Sequence, residues 1–321
     1  MAVTARSFAK IIFSGEHSIL YGQPALGMSV DRFVEVSLIE QKGTKGLVFD
    51  LPDLNLVKSF SHDQLEELLS KNILPHPSDL APYAFIKLIT KFRPSIFSGI
   101  TIRIISNIPI GCGLGSSAAV IVSLIHAFNY FFKLNIKLEN YWQIGKEIEH
   151  IQHGRSSGFD IYLAIYGKRA RFVAGEISTQ YFQSLPMYYI NTGKSKSTTG
   201  DCVKLVEKYF QNSSLADLFG EVTNKLDTAL RQRDLTTIKE SIRTNHRLLV
   251  DIGVVPKKVQ DFIYAIERSG GAAKICGAGA VAGENAGIIM INTENDITDL
   301  LLCYGYKQLI MNFNNNGVEI V

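Results

Sequence analysis

The sequence of 321 residues has little of what marks secreted, membrane or nucleic-acid-binding proteins. Its four cysteines include no Cys-x-x-Cys pair, which argues against a disulfide framework or a zinc site. It contains no run of eighteen apolar residues, and Met1 to Phe13 lacks the apolar region of a signal peptide. The net charge of +3 is too small to indicate a nucleic acid or an anionic membrane as partner. These absences predict a cytoplasmic protein with reduced thiols that binds neither nucleic acid nor membrane.

Two common nucleotide-binding loops are missing as well. No Gly-x-x-x-x-Gly-Lys-Ser/Thr segment occurs anywhere in the chain. The dinucleotide pattern Gly-x-Gly-x-x-Gly fails after Gly111, because Ser116 stands where the third glycine belongs. Residues 277–282 fit the related pattern Gly-x-Gly-x-x-Ala, but further glycines interrupt the helix that would have to follow. A nicotinamide-dependent enzyme is therefore the weakest interpretation of the sequence.

The residues that are present predict a globular protein. Hydrophobic residues make up 46% of the chain and charged residues 20%, which is enough apolar material for a substantial core. The length fits one large domain or two of average size.

The strongest signal is the segment Asn-Ile-Pro-Ile-Gly-Cys-Gly-Leu-Gly-Ser-Ser, which begins at Asn107. The β-branched residues 101–105 in front of it predict a strand, and the apolar run from Ser116 to Phe132 predicts a helix. Glycines let the backbone approach a ligand, and the start of a helix offers free N–H groups to an anion. A Gly-x-Gly segment on its own would also fit an ordinary turn. The longer pattern of alternating glycines followed by two serines predicts a phosphate site. Its candidate residues are Pro109, Gly111, Cys112, Gly113, Leu114, Gly115, Ser116 and Ser117.

This segment resembles the phosphate-binding motif of the GHMP kinases, the galacto-, homoserine, mevalonate and phosphomevalonate kinases. Gly15-Glu16-His17, preceded by Lys10, resembles a motif of the mevalonate kinase branch. The spacing of Glu149 and Asp160, residues 191–199 and the Lys-x-x-Gly-Ala-Gly segment at 274–279 resemble further motifs of that branch. The resemblance covers most of the chain.

The resemblance implies the two-domain GHMP kinase fold of class α+β. A ribosomal-protein-S5-like, ATP-binding domain is expected over residues 1–180, and a ferredoxin-like α/β domain over residues 181–321. The active site is expected in the cleft between them. Family habit suggests a homodimer.

The resemblance also implies residue roles, with ATP and Mg²⁺ as cofactors. Asp160 would be the catalytic base and Lys10 its partner, and Ser117 and Glu149 would bind magnesium. The phosphates would be held by the loop 109–117 and, from the opposite side, by the third motif. The remaining assignments are Gly277, Ala278 and Gly279 to the nucleotide, and Glu16, His17 and Thr198 to the substrate.

The activity implied is ATP-dependent phosphorylation of the 5-hydroxyl of mevalonate, a step of isoprenoid biosynthesis. Two alternatives stay open. One is a GHMP kinase for another small alcohol, such as phosphomevalonate or a sugar. The other is a noncatalytic member that binds a nucleotide or metabolite.

Three features depart from the family pattern, and a fourth concerns reactivity. Ser156 replaces a common proline, and residues 280–282 replace glycines in the third motif. Asp53 replaces the asparagine of the family's adenine-pocket segment. Cys112 lies near a helix N-terminus, so we expect a lowered thiol pKa and inhibition by thiol reagents from which ATP-magnesium protects.

Periodicity predicts the remaining elements. Strands are expected at 7–13, 33–39, 169–174, 187–191 and 288–291, and helices at 64–71, 83–92, 138–153 and 257–269. Residues 201–250 have a helical pattern.

Overall fold

The computed structural model describes residues 1–43, 46–61, 64, 67, 79–95, 99–180, 187–211 and 214–321, with the side chains of residues 152 and 153 left out. The described chain folds into two β-sheets with helices packed against them. This mixture of α and β structure confirms the predicted fold class.

The strands are β1 (Ala2–Ser14), β2 (Ala25–Gln41), β3 (Leu47–Leu51), β4 (Leu56–Phe60), β5 (Gly99–Ser106), β6 (Arg169–Val173), β7 (Glu176–Thr179), β8 (Tyr188–Asn191), β9 (Ala272–Cys276), β10 (Ile288–Asn292), β11 (Lys307–Leu309) and β12 (Glu319–Ile320). The described α-helices are α1 (Leu80–Phe92), α2 (Ser116–Phe131), α3 (Leu138–His153), α4 (Phe159–Tyr166), α5 (Thr199–Phe210), α6 (Leu215–Gln232), α7 (Leu235–Asp251), α8 (Lys257–Arg268) and α9 (Thr298–Tyr304). Short 3-10 helices cover Ser18–Tyr21 and Pro52–Leu54.

The first sheet carries the long strands. Its order is β12-β1-β2-β5-β3-β4, with β6 paired to β2 and β7 paired to β6. All pairs are antiparallel except β3 with β5. The second half of β1 is buried on both faces, which explains its nearly continuous apolar run rather than strict alternation.

Helix α2 lies against β1 and β2 and forms the centre of the larger core. Its residues from Ala118 to Phe128 are almost all buried, and α1, α3 and α4 pack around it. A helix that is apolar on all sides belongs in an interior. The loop that begins α2 is therefore held by a rigid element.

The second sheet has the order β11-β8-β10-β9 and is antiparallel throughout. Helices α7 and α8 pack against β9, and α6 packs against α7. These elements form a separate apolar core that includes Phe219, Phe262 and Ile289.

The end of the chain returns to the first sheet. Strand β12 pairs with β1, and the side chain of Asn312 donates to Asp31 at 2.8 Å. The backbone N–H of Asn314 donates to the carbonyl of Ser29 at 3.0 Å. Strands β1–β7 and β8–β11 thus belong to different sheets, whereas β12 rejoins the first. The division at residue 180 stays a prediction, and residues 181–186 lie outside the described ranges.

The periodicity predicts most elements correctly. The strands expected at 7–13, 33–39, 169–174, 187–191 and 288–291 all lie within or nearly coincide with β1, β2, β6, β8 and β10. The helical stretch 201–250 consists of α5, α6 and α7. Most of the helix expected at 64–71 lies outside the described residues. No described helix combines the length and apolar character needed to span a membrane.

Candidate active site

The glycine loop 107–115 connects β5 to α2. Gly111, Gly113 and Gly115 adopt φ angles of 69°, 79° and 72°, which residues with a side chain rarely adopt. Gly115 is the N-cap of α2 and supplies no side-chain hydrogen bond to the helix start. The first N–H groups of α2 therefore remain available to an anion.

Lys10 crosses the loop from β1. Its backbone N–H donates to the carbonyl of Leu114 at 3.0 Å. A side chain on Gly115 would lie 2.7 Å from Cγ of Lys10, so only glycine leaves room for the lysine. The Lys10 Nζ forms an ion pair with Asp160 Oδ2 at 2.9 Å. Asp160 lies in the first turn of α4, which begins after Gly158 in a left-handed conformation.

Glu149 lies on α3 with 4% of its surface exposed and accepts a hydrogen bond from the Ser156 hydroxyl. Burial and, second to it, the negative charge of Asp160 raise the pKa of Glu149 to about 8. Ser156 and Lys10 act in the opposite direction. Glu149 therefore holds its proton more tightly than a free carboxyl group does, and a cation bound beside it would favour the charged form.

These residues fit a magnesium ion. A buried carboxylate that repels its neighbour gains from a divalent cation, and Mg²⁺ prefers oxygen ligands. The Ser117 hydroxyl lines the same cavity as Glu149. The described part of the chain holds no group of three or more His, Cys, Asp or Glu side chains that could bind a metal alone. One carboxylate and one hydroxyl suffice where phosphates and water complete the coordination.

The segment Gly15-Glu16-His17 is fixed by the second sheet. Glu16 forms an ion pair with Lys274 of β9, and the two side chains are 1% and 0% exposed. The Nε2 atom of His17 donates to the carbonyl of Ala278 at 3.1 Å. Burial lowers the pKa of His17 to about 4, which the Ala278 carbonyl opposes and Lys274 reinforces. The Lys-x-x-Gly-Ala-Gly motif contains Lys274, but nothing in the neighbouring sequence indicates that Lys274 pairs with Glu16.

The third motif touches the glycine loop directly. Gly277 and Gly279 have φ angles of 90° and 75°. A side chain on Gly113 would lie 2.8 Å from the carbonyl oxygen of Cys276. Residues 277–287 form no helix, which agrees with the rejection of a dinucleotide fold. The two glycine segments face one another across a narrow seam.

The altered residues 280–282 are held by the segment that follows β8. The hydroxyl of Ser197 accepts hydrogen bonds from the N–H groups of Val281 and Ala282, both at 3.0 Å. Thr198 begins α5 and forms a capping box with Asp201. Replacing glycines here therefore leaves a loop that is well anchored to its neighbour.

Asp53 uses its carboxylate within the fold. It accepts a hydrogen bond from the N–H of Ser106 at 2.6 Å, where β5 ends. Together with Leu51 and Leu54 it lines the cavity near the start of the glycine loop.

The lowered pKa predicted for the Cys112 thiol is wrong. The residue is 3% exposed, and its thiol is directed at the side chain of Asn191 and the carbonyl of Ile110. Burial raises the pKa of Cys112 to about 11, although the charge of Lys194 acts to lower it. Desolvation of the thiolate outweighs the favourable helix terminus at this position.

All of the predicted site residues line one cavity of about 690 Å³, a size suited to a small ligand. The structure thus brings together five sequence segments that are as far apart as Lys10 and Gly279. Sequence reasoning did not assign three basic side chains that line the same cavity, namely Arg155, Lys194 and Lys196.

Comparison with known proteins agrees with this geometry. The family model described as the GHMP kinases N terminal domain matches residues 81–168. A mevalonate kinase of Thermococcus sibiricus is 30% identical over 334 residues, which cover 100% of this chain and 98% of that protein. The chain belongs to the mevalonate kinase family of GHMP kinases.

Two further likenesses agree with this membership. A mevalonate kinase of Pyrococcus furiosus is 29% identical over 335 residues, which cover 100% of this chain and 98% of its own. A crystal structure of mevalonate kinase superposes with a TM-score of 0.79 at 21% identity, covering 98% of this chain and 99% of that one. At that identity the structural likeness shows the shared two-domain GHMP kinase fold.

Proposed function

We propose that the chain transfers the γ-phosphoryl group of ATP to the 5-hydroxyl of (R)-mevalonate. The products are 5-phosphomevalonate and ADP, and the reaction serves isoprenoid biosynthesis in the cytoplasm. The observation that carries the proposal is the Lys10–Asp160 pair, 2.9 Å long, beside a glycine loop in a member of this family. Phosphoryl transfer needs positioning and charge neutralisation more than covalent catalysis, and this cleft supplies both.

The nucleotide is assigned to the side of the cleft formed by the glycine loops. The N–H groups of residues 111–117 would hold the phosphates, with Gly277, Ala278 and Gly279 opposite them. Lys194 packs along Gly111 and Lys196 along Gly283, so both would add positive charge on this side. Leu51, Asp53 and Leu54, at and after the end of β3, line the cavity and would approach the base.

Ser117 and Glu149 would hold the magnesium ion. Bound there, the ion would neutralise phosphate charge and offset the repulsion between Glu149 and Asp160. The hydrogen bond from Ser156 would fix the orientation of the Glu149 carboxylate.

Asp160 would accept the proton of the acceptor hydroxyl as its oxygen attacks the γ-phosphorus. The ammonium group of Lys10 keeps the carboxylate oriented and would stabilise negative charge on the acceptor oxygen. General base catalysis of this kind contributes about 10²–10⁴-fold to a rate. Lys10 has 6% of its side chain exposed and Asp160 32%, so the carboxylate is the partner that reaches the open cleft.

Glu16, His17 and Thr198 are proposed to shape the acceptor end. Their contacts support positioning: Glu16 binds Lys274, His17 binds the carbonyl of Ala278, and Thr198 caps α5. All three also line the cavity. We further propose that the two domains divide at residue 180. We also propose a homodimer, and light scattering would test this oligomeric state.

A coupled ADP-release assay with Mg-ATP tests the proposal. The panel contains mevalonate, phosphomevalonate, galactose and homoserine. Turnover of mevalonate alone supports mevalonate as the substrate. Turnover of another member of the panel instead would contradict that substrate but support a kinase of this type. ATP binding without turnover of any member would contradict the proposed activity.

A further inference from the structure

Four basic side chains line the described cleft, and three of them are accounted for by their surroundings. Lys10 pairs with Asp160. Lys194 and Lys196 lie along Gly111 and Gly283 of the two glycine segments. Arg155 is different, because it lies on the turn that joins α3 to α4 and is fixed by Leu20 and Tyr21.

Arg155 is held by the segment that follows Glu16 and His17. Its Nη2 atom donates to the carbonyl of Leu20 at 3.1 Å. Its guanidinium carbon lies 5.3 Å from the ring centroid of Tyr21, and that ring stacks on Phe210 at 4.6 Å. An arginine fixed by one N–H group and an aromatic ring keeps its other N–H groups for a planar anion.

The cavity that Arg155 lines combines a positive charge with apolar side chains, which suits a small branched acid. Ile19, Leu20, Phe159 and Val203 line the same cavity and offer apolar surface. Arg155 precedes Asp160, the candidate base, by five residues across the turn that begins α4. An acceptor that presents its hydroxyl to Asp160 could therefore extend its other end along apolar side chains towards a guanidinium group.

We propose that Arg155 binds the carboxylate of the acceptor alcohol and thereby selects an acidic substrate. This inference rests on the proposed function and adds to it the residue that reads the acid group. A carboxylate accepts two parallel N–H bonds from a guanidinium fork, which neither an amide nor a sugar hydroxyl can match. Arg155 is thus a specificity residue, whereas Asp160 acts on the reacting hydroxyl.

The test compares mevalonate with its uncharged primary amide in wild type and in Arg155→Gln. In the variant, KM for mevalonate is expected to rise about 10–100-fold, the effect of losing one charge-assisted contact. Values of kcat/KM for the amide and KM for ATP should change less than threefold. Arg155→Lys should recover part of the loss. Arg268→Gln, which alters an exposed arginine at the end of α8, is the matched control and should leave every constant unchanged.

Charge reversal provides a second measurement that does not depend on the amide. Arg155→Glu should lower kcat/KM for mevalonate at least tenfold below Arg155→Gln, because it places a like charge beside the substrate. Equal effects of the two variants, or an equal loss on mevalonate and its amide, would overturn the inference. A wild-type protein that does not phosphorylate mevalonate would instead overturn the proposed function.

Discussion

The pairs Lys10–Asp160 and Lys274–Glu16 join the same chemical groups in different surroundings. In the first pair, Asp160 has 32% of its side chain exposed and faces the cleft. In the second, both side chains are at most 1% exposed, and the Oε2 atom of Glu16 has no hydrogen-bond partner among the described residues. The first pair is open to a ligand in the cleft, whereas the second is buried and links the segment that follows β1 to β9.

Asp160→Asn should separate the two roles most strongly. We expect kcat to fall about 10²–10⁴-fold, because the amide cannot accept the hydroxyl proton. The free energy of unfolding should fall less than it does in Lys274→Met below, because Asp160 is partly exposed whereas both partners of the second pair are buried. The ADP-release assay and urea unfolding measure the two quantities. A large loss of stability would show that the pair is structural after all.

Lys274→Met should give the reverse result. Removing one partner of a buried pair leaves Glu16 charged and unpaired, which is expected to lower the free energy of unfolding by about 3–5 kcal/mol. Urea unfolding measures the change. Lys225→Met is the matched control, because Lys225 and Glu240 form an exposed pair, for which about 0–1 kcal/mol is expected. Equal effects of the two substitutions would contradict the comparison.

The burial of His246, close to the second pair, predicts that stability depends on pH. His246 is buried on α7, and burial, followed by the charges of Lys274 and Arg247, lowers its pKa to about 4. The unfolded chain binds a proton near the ordinary pKa of about 6.5, so stability falls as pH decreases from 6.5 towards 4. His246 should account for about 2 kcal/mol between pH 7 and pH 5.

His246→Asn tests this dependence, because asparagine is polar but does not titrate. Urea unfolding at pH 7 and pH 5 should show a smaller decrease in the variant than in wild type. His17, whose pKa is also lowered to about 4, should retain its own share of the dependence. An unchanged decrease in His246→Asn would mean that other groups dominate it.

The smallest effect concerns the cysteines. With a pKa of about 11, Cys112 is about one part in a thousand thiolate at pH 8 and should resist iodoacetamide. Cys303 is exposed on α9, outside the residues that line the cleft, and should react without loss of activity. Mass spectrometry of the modified protein checks both statements. Rapid modification of Cys112, slowed by ATP, would restore the original expectation.

The sequence predicts those elements of the fold whose conformation depends on neighbouring residues. The glycine loop, the strand before it and helix α2 follow from glycines and apolar periodicity, and the structure confirms them. The helical stretch 201–250 is interrupted at Arg233, which adopts a φ of 58° without being glycine. Asp234 directly after it caps α7, but one aspartate within a charged helical stretch is a weak signal that does not fix the position of the break.

Long-range pairs are beyond local reasoning. The sequence motifs contain both Glu16 and Lys274, but their contact joins residues separated by 258 positions. The hydrogen bond from Asn245 to Ser14 at 2.7 Å is a second link of this kind between α7 and β1. The direction of the pKa shift of Cys112 was mispredicted for the same reason, because its burial depends on residues from the second sheet such as Asn191.

The contact between the two glycine segments restricts how this protein can vary. Gly113 lies against the carbonyl of Cys276, and a side chain on Gly277 would lie 3.1 Å from the carbonyl of Gly113. The shape of each loop therefore limits the shape of the other, although the two segments are far apart along the chain. A larger side chain in one segment fits only if the backbone of the other segment moves away. Substitutions in the two segments should therefore occur together among related proteins.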